Sequence, residues 1–307
     1  MLSRAAGRAL GLGLGYAADR ALGDPVRRHP VAGFGQLAGR VERVSYADRR
    51  AAGVVHVVVL VGGVAGLGAA AERAVTGRPV VRVLLTAAAT WTVLGGTSLD
   101  REAAAVERLL AAGSLEDARR QVARLVGRDT SRLDAGGVAR AAVESVAENT
   151  SDAVVAPLVW GAVAGVPGLL GYRAANTLDA MVGHRSARYD RFGWAAARLD
   201  DVLNLPGSRL SAALVVLLGD DRRGAVRAWR RDAGAHPSPN AGPVEASVAG
   251  ALGVRLGGTT VYGTGADRRV EERPVLGDGR EPDHVDLARA RRLVLRVDLA
   301  AVVVAAG

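Results

Sequence analysis

Carboxylates recur every fourth residue in one segment of this 307-residue chain, where Glu144, Glu148 and Asp152 follow Arg140. On an α-helix that spacing makes one polar stripe about 120° wide. Its oxygens are hard ligands for a divalent cation; the plainer reading is a stripe satisfied by Arg140 and other arginines. Asn149 stands at the margin of the stripe, able to hydrogen-bond a phosphate or a ribose. Asp200 and Asp201, with Asn204 one turn on, form a second acidic pair. A basic and polar set, Arg173, Asn176, Asp179, His184, Arg185 and Arg188, lies between the two. Guanidinium forks suit phosphate oxygens, and the imidazoles of His184 and His29 are the residue type most often used as a general base. A polar loop histidine is the simpler alternative for each. His236, Ser238 and Asn240 occupy the turn HPSPNAGP ahead of a small-residue helix, where side-chain and backbone donors both face an incoming anion.

The elements that must position these residues are helical and apolar. Ala139, Ala142, Val143 and Val146 back the acidic stripe, and Thr130 or Ser131 is the expected N-cap of that helix. The run from Val154 to Leu170 is apolar enough to enter a bilayer, but Pro157, Pro167 and the glycines around them argue against a straight helix. Elsewhere, Gly53–Ala71 and Val83–Leu99 predict a membrane hairpin, with Glu72 to Arg82 connecting its far ends. The first 22 residues predict a short retained membrane helix, its glycines at 11, 13 and 15 serving close packing. Leu293–Ala306 predicts a last membrane helix, whereas Arg209–Gly219 is too brief to cross. Residues 255–285 predict a β-hairpin-like excursion around Val261 and Tyr262.

Composition agrees with a membrane protein. Hydrophobic residues make up 49% of the chain, and its net charge of +9 fits arginine-rich loops better than a nucleic-acid partner. No cysteine is present, which excludes disulfides, thiolate metal sites and cysteine nucleophiles. All 40 basic residues are arginine, so a lysine-bearing phosphate loop is excluded as well. The expected fold is an all-α, polytopic integral membrane protein with broken or re-entrant helices and a small glycine-rich hairpin. It reads as a single membrane-embedded catalytic domain over 1–307, with 100–150 as a helical cytoplasmic insertion leading into the site.

Topology constrains the run after the stripe. A single crossing by Val154–Leu170 would put the carboxylates and the set from Arg173 to Arg188 in opposite compartments, against the positive-inside tendency. A broken segment that dips and returns keeps both sets on one side, and such backbone is tolerated where it lines a cavity.

The blocks ESVAENTSDAVVAPLVW, YRAANTLDAMVGHR, FGWAAARLDDVLNLPGSRLSA and HPSPNAGPVEASVAGALGVRLGG, with GDPVRRHPV near the start, closely resemble the membrane-bound adenosylcobinamide-phosphate synthase family of cobalamin biosynthesis. The resemblance runs in order from about Asp19 to Gly258 and is looser beyond Thr259. It implies condensation of a propionate carboxyl of adenosylcobyric acid with the amine of aminopropanol phosphate or ethanolamine phosphate, and it implies ATP and Mg²⁺. On that basis Glu144, Glu148, Asn149, Asp152 and His184 are expected catalytic residues, and Glu144, Glu148, Asp152, Asp200 and Asp201 the metal ligands. Arg173, Asn176, Asp179, Arg185, His236, Ser238 and Asn240 are the expected substrate and phosphate contacts. Relatives often carry Lys-His before the Pro-Ser-Pro-Asn-Ala-Gly block where this chain has Ala235-His236, so the site lysine is absent here, a departure that counts against a mechanism needing an ammonium at that position.

The expected setting is the cell membrane with the site facing the cytoplasm, among lipids and possible contacts with other corrinoid-pathway enzymes. Two other classes compete: a membrane signalling or scaffold protein of related fold, and a transporter. A scaffold has no need to gather carboxylates and phosphate-type donors, and no inverted repeat supports the transporter.

Overall fold

The computed structural model describes residues 3–24, 29–184, 186–262 and 269–307. In chain order the helices are α1 (Arg4–Leu22), α2 (Pro30–Ser45), α3 (Arg50–Ala74), α4 (Pro79–Val93), α5 (Gly96–Ala111), α6 (Leu115–Val122), α7 (Ala135–Thr150) and α8 (Ala156–Leu178). After them come α9 (Trp194–Leu218), α10 (Arg222–Asp232), α11 (Ala241–Leu252) and α12 (His284–Ala306). A two-stranded antiparallel sheet, β1 (Leu256–Tyr262) and β2 (Arg269–Leu276), precedes α12. The protein is all-α apart from this hairpin, which falls where the glycine-rich excursion is expected. Among the described residues, four helical stretches are long and apolar enough to cross a membrane: Arg50–Ala74, Pro79–Ala111, Ala135–Gly183 and Trp194–Leu218.

The chain divides into two compact units. The first comprises Met1–Gly95, Asp152–Gly207 and Val302–Gly307. Here α1 packs along α4, and α8 packs against α3 and α4. Gly11 and Gly15 permit the first contact, since a Cβ on either would strike Thr86 or Thr90; Gly13 faces open space. Phe192, Leu178, Val182, Val57 and Leu60 form an apolar core beneath α2. Exposed Leu67, Val80, Leu84 and Val163 leave an outward apolar belt, as a membrane span requires.

Helix α8 is broken as its composition predicts. A π-helical turn over Ser151–Val155 precedes it, and Gly165 inside it is non-helical at φ 67° and ψ −146°, a left-handed backbone that glycine adopts without strain. Pro167 follows and could not have donated to the helix ladder. The backbone groups freed at the break are satisfied by side chains: Arg8 donates to the carbonyls of Ala162 (2.8 Å) and Val163 (3.2 Å), and Glu72 accepts from the amide of the buried Val166 (2.8 Å).

The second unit comprises Gly96–Ser151 and Ser208–Ala301, so α9 contributes to both units. Helices α5 and α6 pack on α7, and α11 packs on α7, α10 and the hairpin. Helix α7 is capped by Asp134, whose Oδ1 accepts from the Gly137 amide at 2.7 Å. Thr130 and Ser131, the expected caps, lie in the preceding turn, where Thr130 bonds the Arg119 carbonyl. Two further boundaries differ from expectation. The short run after Arg209 is the second half of the 25-residue α9, because Pro206 is accommodated within the helix. Helix α12 begins at His284 and is not among the four candidate spans; its first half is charged and buries Asp286.

Candidate functional site

Glu144 anchors a buried polar centre in the second unit. One carboxylate oxygen accepts from the Gly257 amide at 2.7 Å; the other meets Arg128 at 2.5 Å and Arg273 at 3.6 Å. Glu144 and Arg128 are only 2% and 8% exposed, so this charge is neutralised inside the protein, not by water. The hairpin makes the amide contact possible. Strand register slips between Leu256 and Gly258, and Gly257 sits in that bulge at φ 82°. A side chain at 257 would run into the Pro274 carbonyl, so glycine lets the bulge turn its N–H toward α7.

Arg273, opposite Gly258 in the register, extends the centre. It reaches Glu245 on α11 at 3.5 Å and also contacts His236 Nε2. A guanidinium is always a donor, so Nε2 accepts from Arg273; Nδ1 lies against the Ser238 backbone, 3.0 Å from its amide and 3.2 Å from its carbonyl. Burial, reinforced by the Arg273 charge, pushes the His236 imidazole below its usual range, keeping it neutral. Glu245 is completely buried, and its Oε2 has no hydrogen-bond partner. Burial first, and then the charges of Glu144 and Glu148, push its carboxyl well above the usual carboxylate range.

The other expected residues of this unit mostly hold its own backbone. Glu148 is half-buried and close enough to Glu245 to act on it electrostatically. Asn149 donates to the Ser145 carbonyl (2.9 Å) and hydroxyl (3.1 Å) of its own helix. Ser238 Oγ accepts from the amides of Asn240 (3.2 Å) and Ala241 (3.1 Å), starting α11. Asn240 Oδ1 accepts from Ser208 (3.0 Å) and Arg209 (2.9 Å).

Arg173 anchors a separate polar centre in the first unit. Its guanidinium donates to the Val93 carbonyl and to Asn176 Oδ1 (3.1 Å), and it faces the charges of Asp152, Asp24 and Asp200. Asn176 passes the connection on to Asp200 Oδ1 (3.2 Å), while Asn204 donates to Asp200 Oδ2 (2.9 Å). Tyr172 OH donates within 2.7 Å of Asn204 Oδ1 and lies 3.0 Å from the Asp152 carbonyl. Asp24 and His29 lie 3.7 Å apart at the α2 start. Arg173 also borders a mostly apolar cavity of about 190 Å³ formed with Pro30, Val31, Phe34, Val64 and Leu170.

Asp201 pairs with Arg198 at 3.5 Å. Asp179 opens a π-helical turn, Asp179–Gly183, and packs over Gly183. His184 is exposed and stacks edge-on against Tyr189, with ring centroids 5.1 Å apart. Arg188 is held by Glu42 at 2.9 Å and lies over the Tyr46 ring at 4.1 Å. Arg185 lies outside the described residues.

The structure thus brings Glu144 and Glu148 to Glu245, and Asp152, Arg173 and Asn176 to Asp200. The five expected metal ligands fall in different units: Glu144 and Glu148 in the second, Asp152, Asp200 and Asp201 in the first. Among the described residues no three His, Asp or Glu side chains are arranged to hold a metal ion. Glu144 and Asp200 each have both oxygens engaged by N–H donors. As placed, this donor set does not fit a resident Mg²⁺. Arg128, Arg273 and Glu245 are the central residues that spacing alone does not single out; a lone glutamate in the small-residue helix PVEASVAGAL was the available signal for Glu245.

Comparison with known proteins places these centres in a family. The family described as CobD/CbiB protein matches residues 12–294. A cobalamin biosynthesis protein CobD of Mycobacterium tuberculosis (strain H37Rv) is 54% identical over 302 residues, covering 97% of this chain and 95% of the relative. Those of Chromobacterium violaceum and Rhodobacter capsulatus are 46% and 44% identical, covering 94% and 87% of this chain and 92% and 85% of their own lengths. No solved structure matches the chain. With the match spanning both polar centres and nearly the whole sequence, the chain belongs to the CobD/CbiB protein family.

Proposed function

We propose that this protein acts in cobalamin biosynthesis as a multi-pass membrane ligase. It joins an amino-alcohol phosphate, either aminopropanol phosphate or ethanolamine phosphate, to adenosylcobyric acid with consumption of ATP. The observation that carries the reading is the alignment with cobalamin biosynthesis proteins over nearly the full chain; beside it stands the buried centre in which Arg273 contacts both Glu144 and His236 of the HPSPNAGP turn.

The chemistry requires activation, because a carboxylate has no leaving group that an amine can displace. ATP would supply it: a carboxylate oxygen bonds to a phosphorus with loss of ADP or pyrophosphate, and the amine then displaces the phosphate or AMP to leave the amide; Mg²⁺ carried with the nucleotide would neutralise the phosphate charge. The protein's own groups then have defined tasks. Arg128 and Arg273 present guanidinium forks whose charge Glu144 balances, a suitable setting for phosphate oxygens. His236, kept neutral, and Glu245 fix the orientation of Arg273. In the first unit Arg173, steadied by Asn176, is the phosphate-type donor. His184, exposed beside Tyr189, is the base that receives the amine proton. The site faces the cytoplasm, where ATP is available.

The test is to incubate the purified protein in detergent with adenosylcobyric acid, each amino-alcohol phosphate, Mg²⁺ and ATP, and to detect the amide by mass spectrometry. ATP-dependent product with one of the two amines is expected. No amide with either would overturn the proposal.

A further inference from the structure

Near the short turn that joins α3 to α4, two helices that both pack on α8, lies a cavity of about 270 Å³ that neither polar centre uses. Its walls carry Arg4 and Arg8 of α1, Glu72 and Arg73 of α3, and Arg82 of α4, with Thr86 beside them. Four guanidinium groups against one carboxylate leave a formal excess of three positive charges. The carboxylate is already committed, since Glu72 accepts the Val166 amide at the α8 break. Among the described residues, none of the four arginines has a carboxylate within salt-bridge distance, and Arg82 Nε is buried without a hydrogen-bond partner.

The cavity is also a built feature of the fold. Arg8 is fixed by its bonds to Ala162 and Val163, and Glu72 by its bond to Val166, so two walls are tied to the backbone of the broken helix. It lies away from Arg173. That residue bonds the carbonyl of Val93 at the other end of α4, and Arg82 and Val93 are eleven positions apart, about 16 Å along a helix. The exposed Leu67, Val80, Leu84 and Val163 lie toward the same turn. An apolar belt ending in a cluster of arginines is the arrangement that meets lipid phosphates at the edge of the hydrocarbon region.

We propose that this cavity is a second, phosphate-type anion site, at which Arg8, Arg73 and Arg82 bind an anionic phosphodiester or phosphomonoester. The two sources of that chemistry are a headgroup of the leaflet that meets the α3–α4 turn and a soluble phosphate.

Native mass spectrometry of the full chain in detergent, with phosphatidylglycerol, phosphatidylcholine or inorganic phosphate added, separates the sources. The variant Arg73→Gln/Arg82→Gln spares Arg8, which holds the helix break. Retained phosphatidylglycerol is expected on the native protein and at least fivefold less on this variant, with phosphatidylcholine unchanged. Arg73→Lys/Arg82→Lys, which keeps the charge, is expected to retain binding. If inorganic phosphate alone binds the native protein and is lost in the glutamine variant, the anion site stands with a soluble ligand. Equal binding by native and variant protein, or no binding of either anion, overturns the proposal. Should the double variant fail to fold, Arg73→Gln alone, at an exposed position, carries the same comparison with an expected loss of at least twofold.

Discussion

Glu144 on α7 accepts a hydrogen bond from the backbone amide of Gly257, 113 residues further along the chain, at 2.7 Å. The contact joins the acidic stripe to the bulge of the hairpin. Arg128 and Arg273 then neutralise the remaining oxygen. Replacing Glu144 by Gln keeps an acceptor for Gly257 but strands two guanidinium groups in a buried site. A loss of about 3–5 kcal/mol is expected from breaking a buried pair on one side. Thermal unfolding in detergent checks this; an unchanged midpoint would mean that water reaches the arginines.

The bulge itself is the next test. Gly257→Ala places a side chain where the backbone has φ 82° and where the Pro274 carbonyl already sits. The hairpin must shift, and the amide can no longer reach Glu144. Stability is expected to fall by at least about 1–2 kcal/mol from the left-handed backbone alone, and amide formation to fall with it. Ala at Gly13, inside α1 with open space around it, is the control and is expected to leave stability unchanged or raise it by up to about 1 kcal/mol, because alanine is the better helix former.

The centre around Glu144 was only half legible in the sequence. Four-residue spacing announces Glu144 and Glu148, because a helix converts spacing directly into a shared face. It says nothing about Arg128 in a turn or Arg273 in a strand, whose approach depends on long-range packing. Ser238 and Asn240 show what residue type alone leaves out: read as ligand contacts, they also satisfy the start of α11 and the Ser208–Arg209 corner. The break in α8 was fully legible, since Pro167 and Gly165 have few other uses inside an apolar run. Its side-chain caps, Arg8 and Glu72, were not, because they come from helices 94 or more residues away.

Glu245 gives the stability a pH signature. Its carboxyl is raised in the folded protein, so the folded state binds the proton more tightly than the unfolded one. The resulting stability is fully present below the unfolded value of about 4.5 and is lost as pH rises toward the folded value. His236 has the opposite sign: its lowered value makes its contribution complete above about 6.5 and smaller as pH falls. Glu245→Gln removes only the first effect. The difference in unfolding midpoint, variant minus native, is expected to grow as pH is raised from 5 to 8, in a titration followed by thermal unfolding. A difference that does not change with pH would show that Glu245 does not titrate in this range.

At the α8 break, Glu72→Ala leaves the Val166 amide without its partner. An unsatisfied buried donor costs about 1–3 kcal/mol. Glu72→Gln, which retains an acceptor, is expected to recover most of it. Equal destabilisation by both substitutions would assign the effect to the charge of Glu72 and not to its hydrogen bond.

ATP-dependent activation of the corrinoid carboxyl is the central claim, and its most direct test follows an oxygen atom. Adenosylcobyric acid labelled with ¹⁸O in its free carboxyl is incubated with the protein, ATP, Mg²⁺ and aminopropanol phosphate or ethanolamine phosphate, and both products are analysed by mass spectrometry. The account predicts one amide formed per nucleotide consumed, with one ¹⁸O carried into the released phosphate or AMP. Amide without ¹⁸O in either nucleotide-derived product, or no amide at all, would contradict it.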